Sequence, residues 1–539
     1  MPERHTQVLV VDGSLVGLST SVLLASYGVP HLVVESHPGT AIHPRRLVPP
    51  ADDGGLPFRW AAAGLEEAAA REFRQGGAIV AVESLGGKEL AYFYRSYNDG
   101  VEGLSPTDRL FITQVGLEPI LRQRASDLGA EHLFGTDLVS FETHDDHVVS
   151  VIRPHGGGPE EVVISDCLVA ADGAHSAVRE QLGIPMTGRG SFADCVTIYF
   201  KADVNPPMGD RNLSVVYVNH PELTAFFRFS ITGDSGFLAV FATLEPDGAR
   251  NTHVGEDISG ERCVELVRTA LGSASGLPVD IESIQRWSAM AATAAAFQSG
   301  RVFLAGDAAH VMPPTGGFGG NTGVADAYNL AWKLAFATRG IAGPGLLDTY
   351  GAERQPISAL TVEQAYTRYA LRVDPSLPRD DLMPPLEDAA IELGAIYRSS
   401  AVHPDHAPEQ QLDDPHARTW RVGARVPHVP LTDNGSQSST LDAADRCFAV
   451  LADHGHDVWR RAAGDVEESL GVAVAVKPID PGSLPEPAEP PAENAGPGWT
   501  GAALIRPDGV IAWKPPVPAA EAAGQLGAVM AGLLSRNGS

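Results

Sequence analysis

Residues 300–335 read "GRVFLAGDAAHVMPPTGGFGGNTGVADAYNLAWKLA" and form the most informative stretch of the chain. The apolar run before Gly306 and Asp307 predicts a buried strand, so that the Asp307 carboxylate lies at the carboxyl edge of a sheet, where α/β proteins bind their ligands. Asn321 is predicted to start a long helix over 321–339, whose amino end stabilises negative charge. Between them lie two prolines that stiffen the loop and four glycines that let the backbone approach a flat ligand, namely Gly316, Gly317, Gly319 and Gly320.

The chain opens on a strand–turn–helix–strand pattern. Residues 8–11 form an apolar strand, and 18–27 have the composition of a buried helix. Gly28 follows that helix where a glycine commonly ends one. Residues 31–35 then form a second apolar strand, so the first 35 residues predict one βαβ unit.

The turn of this unit, "VDGSLVGLS" at 11–19, has the place of the Gly-x-Gly-x-x-Gly turn that binds dinucleotides. Gly17 matches the third glycine, but Asp12 and Ser14 stand in place of the first two. Glu35 ends the second strand 18 residues after Gly17, where an acid accepts ribose hydroxyls. On this stretch alone, a generic α/β turn is an equally good interpretation.

A third segment, "LVAADGAHSAVRE" at 168–180, runs from a strand into Asp172 and Gly173. A helix is expected near Ser176, with Arg179 in its first turn. Taken alone, the segment is also consistent with an ordinary strand–turn–helix.

The chain has 539 residues, which is too long for a single core, and we expect two to four domains. Short β-rich runs at regular spacing mark an antiparallel sheet in the middle, and the end alternates strand and helix with a hairpin at Asp508 and Gly509. The predicted division is a Rossmann-like first part over 1–185, a β-rich domain over 186–290, a return to the first domain over 291–400, and a small α/β domain over 401–539.

Composition excludes several classes of function. The net charge of −28 repels phosphate backbones and acidic membranes, so we expect no nucleic-acid or membrane partner. No apolar run is long enough to span a bilayer, and the first residues do not have the pattern of a signal peptide. The four cysteines are far apart in the sequence, which predicts neither disulfides nor zinc and favours a cytoplasmic location. "HPDH" at 403–406 is expected to be a solvated loop, so we expect no metal site.

Taken together, the three segments resemble the FAD-dependent aromatic hydroxylases of the p-hydroxybenzoate hydroxylase type, and in particular the bacterial branch that modifies aromatic polyketides. "HPR" at 43–45 and Gln114, Leu117 and Glu118 also match that family. The resemblance covers essentially the whole chain. It implies a mixed α/β fold with a Rossmann-like FAD-binding domain, an antiparallel-sheet substrate domain and a thioredoxin-like C-terminal domain without redox cysteines.

The resemblance also implies cofactor contacts. Glu35 would hold the adenosine ribose, Arg45 and Gln114 would contact the ribityl–diphosphate part, and Asp307 would bind the same region. Asp172 would serve the flavin and, by analogy, the nicotinamide reductant. The remaining residues of this half of the site would be Gly13, Ser14, Val16, Gly17, Ser36 and Gly306.

The isoalloxazine half of the site would be lined by Pro314, Gly317, Gly319, Gly320 and Asn321. Because the flavin would perform the chemistry, no side chain is assigned as catalytic. In the middle domain, Phe226, Phe227 and Phe229 are candidates to cover the substrate, although alternate residues of a strand must face away.

The function implied is an FAD-dependent monooxygenase that uses NAD(P)H and O2 to hydroxylate an aromatic polyketide or, in a Baeyer–Villiger variant, to oxygenate a ketone. Two departures, at Asp12 with Ser14 and in the Pro/Gly-rich loop at 48–57, fall on the diphosphate half and are expected to weaken FAD binding. They leave an alternative open: a related protein with lost or altered FAD binding, acting as a non-redox polyketide cyclase or isomerase or as a non-catalytic partner. The sequence leaves the oligomeric state undetermined.

Overall fold

The computed structural model describes residues 2–41, 46–47, 64–244, 249–255, 258–272, 276–374, 376–403, 410–433, 436–480, 482, 499–515 and 519–536. In chain order its strands are β1 (Glu3–Val11), β2 (His31–Glu35), β3 (Arg46–Leu47), β4 (Ala78–Val82), β5 (Glu89–Tyr94), β6 (Ile112–Thr113), β7 (Glu131–Phe134), β8 (Thr136–Thr143), β9 (Val148–Pro154), β10 (Glu161–Ala170), β11 (Met186–Lys201), β12 (Leu213–His220), β13 (Leu223–Phe229), β14 (Ser235–Leu244), β15 (Arg250–Asn251), β16 (Asp280–Ala294), β17 (Gln298–Ser299), β18 (Val302–Leu304), β19 (His310–Val311), β20 (Pro430–Asp433), β21 (Ser436–Ser439), β22 (Phe448–Ala452), β23 (Val474–Pro478), β24 (Ala502–Ile505) and β25 (Ile511–Trp513).

Its helices are α1 (Leu15–Ser26), α2 (Leu65–Glu72), α3 (Gln114–Asp127), α4 (Ala177–Gln181), α5 (Asn205–Met208), α6 (Gly260–Leu271), α7 (Phe318–Thr338), α8 (Gly345–Arg372), α9 (Asp388–Leu393), α10 (His456–Leu470) and α11 (Ala519–Leu533). The loop predicted at 48–57 lies outside the described residues, as do 404–406 of the "HPDH" segment.

The first sheet has β1 at its centre. Its strands lie in the order β17-β18-β10-β1-β2-β7, and β1 pairs in parallel with both β10 and β2. β18 and β7 extend the parallel part on either side. Parallel strands buried on both faces are continuous apolar runs, as 8–11 are here. The mixed α/β fold with a Rossmann-like first domain is therefore confirmed.

Helix α1 begins three residues earlier than the sequence suggested. Ser14 has an extended backbone and serves as its N-cap residue, so the turn after β1 passes directly into the helix at Leu15. At the other end Gly28 has a positive φ of 65°, and the Val29 N–H donates to the Leu24 carbonyl. This is the glycine-terminated helix end that the sequence predicted.

The second sheet forms the middle of the chain, with strand order β19-β16-β11-β14-β13-β12-β4-β5. β4 and β5 come from a segment that the sequence assigned to the FAD-binding part; they join this sheet because β4 pairs in parallel with β12. Helix α6 covers one face and packs against Phe227 and Phe229. Phe226 points to the opposite, aromatic face, so the expected alternation is confirmed.

The C-terminal sheet has the order β23-β22-β24-β25. α10 connects the parallel pair β22 and β23, and β24 and β25 form the hairpin that turns at Asp508 and Gly509. Gly509 has a φ of 75°, which favours glycine at that position of the turn. This arrangement agrees with a thioredoxin-like domain, and the four cysteines of the chain are all free thiols.

In the part of the chain that the structure describes, no helix combines the length and the apolar character needed to cross a membrane.

A fully buried ionic cluster joins the C-terminal domain to the long helices α7 and α8. Glu353 accepts hydrogen bonds from Lys333 Nζ at 2.8 Å and from Arg506 Nη1 at 2.6 Å. Arg506 also donates to Asp508. Although burial opposes its charge, Arg506 and Lys333 hold the pKa of Glu353 below its ordinary value. Burial lowers the pKa of Lys333 to about 8, against the attraction of Glu353.

Replacing Arg506 with Met should destabilise this interface strongly, because it leaves the Glu353 and Asp508 carboxylates buried without their shared cation. We expect a loss of about 3–5 kcal/mol in urea unfolding followed by tryptophan fluorescence. The matched control is Arg460→Met, which removes an exposed pair with Asp457 on α10 and should cost less than about 1 kcal/mol. Equal, small losses in both variants would show that the cluster does not hold the domains together.

Candidate active site

The three segments singled out in the sequence converge at one edge of the first sheet. β1 leads into Asp12, β2 into Ser36, β10 into Asp172 and β18 into Gly306. These strands are parallel neighbours, so their carboxyl ends lie side by side. This is the edge at which open α/β sheets bind ligands.

The turn after β1 retains the tight geometry of a dinucleotide turn. A β-carbon at Gly17 would lie 1.8 Å from the Asp12 carbonyl oxygen, so only glycine fits there. At Gly13 a β-carbon would lie 3.0 Å from Glu35 Cβ and 3.2 Å from the Phe134 ring. Gly17 therefore does what the third glycine of the motif does, which is to let helix and strand pack closely.

Asp12 departs from the motif in both conformation and charge. Its φ of 86° lies in the left-handed region, which is uncommon for any residue other than glycine, although Asp and Asn adopt it more readily than most others. Its carboxylate turns back and accepts the Ser14 N–H at 2.7 Å. Burial, with the nearby charge of Glu35, raises the pKa of Asp12 to about 7.

Glu35 is buried at the end of β2, as predicted. Its carboxylate accepts the Gly13 N–H at 2.7 Å and the His37 N–H at 2.7 Å. Burial opposes ionisation, but these hydrogen bonds outweigh it and the pKa of Glu35 lies below its ordinary value. Ser36 donates to the same carboxylate at 3.3 Å.

The Gly306–Asp307 segment forms a 3-10 turn rather than the end of the strand, because β18 already ends at Leu304 and Gly306 has a φ of 63°. A β-carbon at Gly306 would lie 2.8 Å from Val16 Cγ2, so this turn packs directly on α1. Asp307 is half-buried in the turn. Val16 and Gly306, both predicted cofactor residues, are thus neighbours.

Asp326, which the sequence analysis did not single out, holds this turn in place. Its carboxylate is fully buried and accepts the Gly306 N–H at 3.0 Å and Arg354 Nε at 2.8 Å. His310 Nε2 lies 2.7 Å from the same carboxylate. Arg354 Nη1 also donates to the Tyr397 hydroxyl at 2.9 Å. The available signal was a polar stripe at helical spacing, Asp326, Asn329 and Lys333, on an otherwise apolar helix.

The glycine loop leads into α7, which begins at Phe318; Asn321 therefore lies in its first turn rather than at its start. Gly316 and Gly317 have φ values of 95° and 76°, and Gly317 is the N-cap residue without a side-chain cap. Backbone N–H groups at the start of a helix have no partner within the helix, and those of Gly319 and Gly320 lie in this first turn. Thr315 anchors the loop by donating to the Ala365 carbonyl of α8 at 2.6 Å.

Asp172 lies at the same edge, two residues after the end of β10. The Asp172 carboxylate accepts the Ser176 hydroxyl at 2.5 Å and the Val178 N–H at 3.1 Å, which ties its own loop to the start of α4. Gln114 is the half-buried first residue of α3. Arg45 lies outside the described residues.

The aromatic face of the second sheet is continuous with the glycine loop. Phe226 packs there with other rings, and Phe192 joins this face to the next apolar cluster, where Met312 is found. Met312 in turn contacts the cluster of Phe318. The rings of this face include Tyr97, Phe111, Tyr199, Tyr217, Phe237, Phe241 and Tyr369.

A buried cation lies on this aromatic face. Arg228 is 2% exposed, and its guanidinium carbon lies 4.2 Å from the ring centre of Phe111 and 4.3 Å from that of Phe73. Cation–π contacts of this kind stabilise a guanidinium away from water. The face is therefore a closely packed aromatic layer with a positive charge buried in it.

A small cavity of about 60 Å³ lies beside the first turns of α7 and is lined by Phe318, Asn321 and Glu392 among others. Glu392 is paired with Arg109 through a hydrogen bond of 3.0 Å from Nε. Burial raises the pKa of Glu392 to about 7, against the opposing charge of Arg109.

Comparison with known proteins agrees with this geometry. The FAD binding domain family model matches residues 5–365, and the model for the C-terminal region of aromatic-ring hydroxylases matches 419–536. A 4-methyl-5-nitrocatechol 5-monooxygenase of Burkholderia sp is 42% identical over 95% of this chain and 94% of its own. An aklavinone 12-hydroxylase of Streptomyces purpurascens is 37% identical over 99% of this chain and 100% of its own.

Among solved structures, the ternary complex of aklavinone-11 hydroxylase with FAD and aklavinone superposes with a TM-score of 0.88, at 36% identity over 99% of this chain and 100% of that one. The chain belongs to the FAD-dependent aromatic-ring hydroxylases. It is a flavin monooxygenase that uses NAD(P)H and O2, and nothing in these similarities supports the non-redox alternative.

The described residues fit FAD. The Gly13 and Ser14 N–H groups already bind carboxylate oxygens, which shows that this helix end accepts acidic groups such as a diphosphate. The Glu35 carboxylate lies beside this turn, and the positive end of the α7 helix dipole suits the electron-rich edge of a flavin.

Gly17→Ala should damage this site through sterics alone, because the new methyl group would overlap the Asp12 carbonyl oxygen. We expect a loss of about 2–3 kcal/mol of stability and a lower FAD content of the purified protein. Gly524→Ala, at an exposed and uncrowded position of α11, is the matched control and should be neutral or slightly stabilising. Normal stability and flavin content in Gly17→Ala would show that the turn tolerates a side chain at position 17.

Proposed function

We propose that this monooxygenase hydroxylates a phenolic ring of an aromatic polyketide. The observation that carries the proposal is the aromatic face of the second sheet, which holds the buried cation Arg228 and runs to the glycine loop at the start of α7. Full-length similarity to aklavinone hydroxylases supports the same substrate class.

Different parts of this chain would bind the substrate and stabilise the negative charge on it. The aromatic face would orient a planar substrate by stacking and exclude water from the reaction. Arg228 would stabilise the phenolate form of the substrate, which is the form most readily attacked by an electrophilic oxygen. The start of α7, with Gly317 and Asn321, would stabilise negative charge beside it. FAD, once reduced by NAD(P)H, supplies the oxygen-transfer chemistry when it is bound here.

We propose contacts to FAD for the residues that the sequence indicated. Gly13, Ser14, Val16 and Gly17 would face the diphosphate, with Glu35 and Ser36 at the ribose. Asp307 would serve the ribityl–diphosphate region, with Gly306, Gln114, Arg45 and Asp172 in supporting roles. Pro314, Gly317, Gly319, Gly320 and Asn321 would line the isoalloxazine.

A second candidate substrate is a single-ring nitrocatechol, which is favoured by the 42% identity to the nitrocatechol monooxygenase. Both candidates are phenols, so the proposed roles of the residues are the same. Assays with aklavinone and with 4-methyl-5-nitrocatechol, run in parallel, separate them.

The test of the function begins with the purified full-length protein, which should be yellow. The added phenol should accelerate NAD(P)H oxidation, and mass spectrometry should show a product that carries one new oxygen atom. With aklavinone the oxygen replaces a ring hydrogen, whereas with 4-methyl-5-nitrocatechol, oxygenation at the carbon that bears the nitro group replaces that group and releases nitrite. A colourless protein that takes up no added FAD would support the non-redox alternative instead, and NAD(P)H oxidation without an oxygenated product would exclude both substrates.

Arg228→Gln should raise the KM for the phenolic substrate about tenfold or more, because a charge-assisted contact contributes about 1.5–3 kcal/mol. Arg228→Lys should retain much of the binding, and FAD content should not change in either variant. The control is Arg286→Gln, which lies on β16 of the same sheet and donates to the Gly255 carbonyl. If KM is unchanged in Arg228→Gln, this residue does not contact the substrate.

A further inference from the structure

Two backbone N–H groups of the dinucleotide turn are already bound by carboxylates of this chain. Glu35 accepts the Gly13 N–H and Asp12 accepts the Ser14 N–H, each at 2.7 Å. A diphosphate at the start of α1 needs donors of this kind. In the structure the Asp12 carboxylate occupies the Ser14 donor.

The backbone conformation of Asp12 makes this contact possible. With a φ of 86°, the residue folds its short side chain over the first turn of α1 instead of pointing it away. Glycine at this position would leave the same donor open. Asp12 is thus both a conformational substitute for glycine and an internal anion at the site of the diphosphate.

The surroundings of Asp12 offer little compensation for its charge. β2 contributes Glu35, a second carboxylate, which is itself bonded to His37. β10 is followed by Asp172, whose carboxylate bonds to Ser176 and Val178. The start of α1 contributes Ser14, and in the described ranges no Lys or Arg forms an ion pair with Asp12. A negatively charged diphosphate would add a further repulsion to this carboxylate pair.

We propose that Asp12 carries a proton when FAD is bound, so that FAD binding takes up one proton and weakens as pH rises. The inference rests on the FAD site of the proposed function and deepens it. A protonated Asp12 no longer repels the diphosphate, can donate its O–H to a phosphate oxygen, and releases the Ser14 N–H to the ligand. The diphosphate then replaces the Asp12 carboxylate at the Ser14 N–H, and only the diphosphate remains charged.

The direction of the pH dependence follows from the linkage between proton binding and FAD binding. The pKa of Asp12 in the free protein is about 7, raised by burial and by Glu35, and a bound diphosphate raises it further. Below about pH 7 the free protein is already protonated and affinity is independent of pH. Above it, one proton must be taken up on binding, and the Kd rises up to tenfold for each pH unit.

The experiment measures the Kd of FAD for the full-length protein freed of its flavin, by fluorescence, from about pH 5.5 to about pH 8.5. We expect the wild-type Kd to be about thirtyfold higher at the upper limit than at the lower. The diphosphate diester of FAD keeps its charge over this range, so the slope reports the protein. Heats of FAD binding near the upper limit, in two buffers of different ionisation enthalpy, should show uptake of about one proton.

Asp12→Asn keeps the shape of the side chain, tolerates the same backbone conformation and cannot ionise. It should bind FAD with one pH-independent Kd, close to that of the wild type at low pH. Asp12→Gly should also lose the pH dependence and provides the test if the Asn variant folds poorly. The matched control is Asp166→Asn on β10, because burial raises the pKa of Asp166 as well; it should keep the wild-type slope.

A wild-type Kd that does not change with pH would overturn the inference while leaving the monooxygenase function intact. An equal slope in Asp12→Asn would overturn it too, by assigning the proton to another group. The proposed function fails separately, through the absence of an oxygenated product from either phenol while FAD still binds with the expected slope. If neither the wild type nor any Asp12 variant binds FAD at any pH, both are overturned.

Discussion

The active site depends on one buried carboxylate. Asp326 has no access to water, yet it accepts hydrogen bonds from the backbone of Gly306 and from Arg354, and lies within hydrogen-bond distance of His310. Gly306 lies in the turn after β18, His310 lies in β19, which pairs with β16 of the second sheet, and Arg354 lies in α8. A charge buried this deeply is tolerated only when its partners are fixed, so it determines where each of these segments lies relative to α7. The turn that packs on Val16 takes its position from this carboxylate.

The sequence predicted those parts of the fold that depend on local patterns. The strand over 31–35 was predicted with its observed limits, because its apolar run and the glycine before it determine where it lies. Glu35 and Gly17 were identified because a dinucleotide turn requires an acid and a close backbone approach at fixed spacing. Their positions in the structure have the geometry on which the motif rests.

Other features could not be predicted because they are non-local. β4 joins the second sheet through a parallel pairing with β12, more than a hundred residues away, which no local pattern indicates. The partners of Asp326 and Glu353 are likewise distant in sequence. The one local indication of these clusters was the polar stripe on α7 that Asp326, Asn329 and Lys333 form. The conformation of Asp12 is a third case. Its substitution for glycine suggested a degraded site, whereas the structure shows a carboxylate that occupies an intact turn.

Glu353 and Arg354 are adjacent in sequence but belong to different clusters, the first bonded to Arg506 and the second to Asp326. One turn of α8 therefore connects the C-terminal domain to the cofactor edge. During synthesis, Arg506 leaves the ribosome about 150 residues after Glu353. Until then Glu353 and Lys333 lack the cation and the domain that bury them. The nucleotide-binding half comes first in the chain, yet it reaches its final packing only after the C-terminal domain has been made. The domain that is synthesised first is therefore not the first to finish folding.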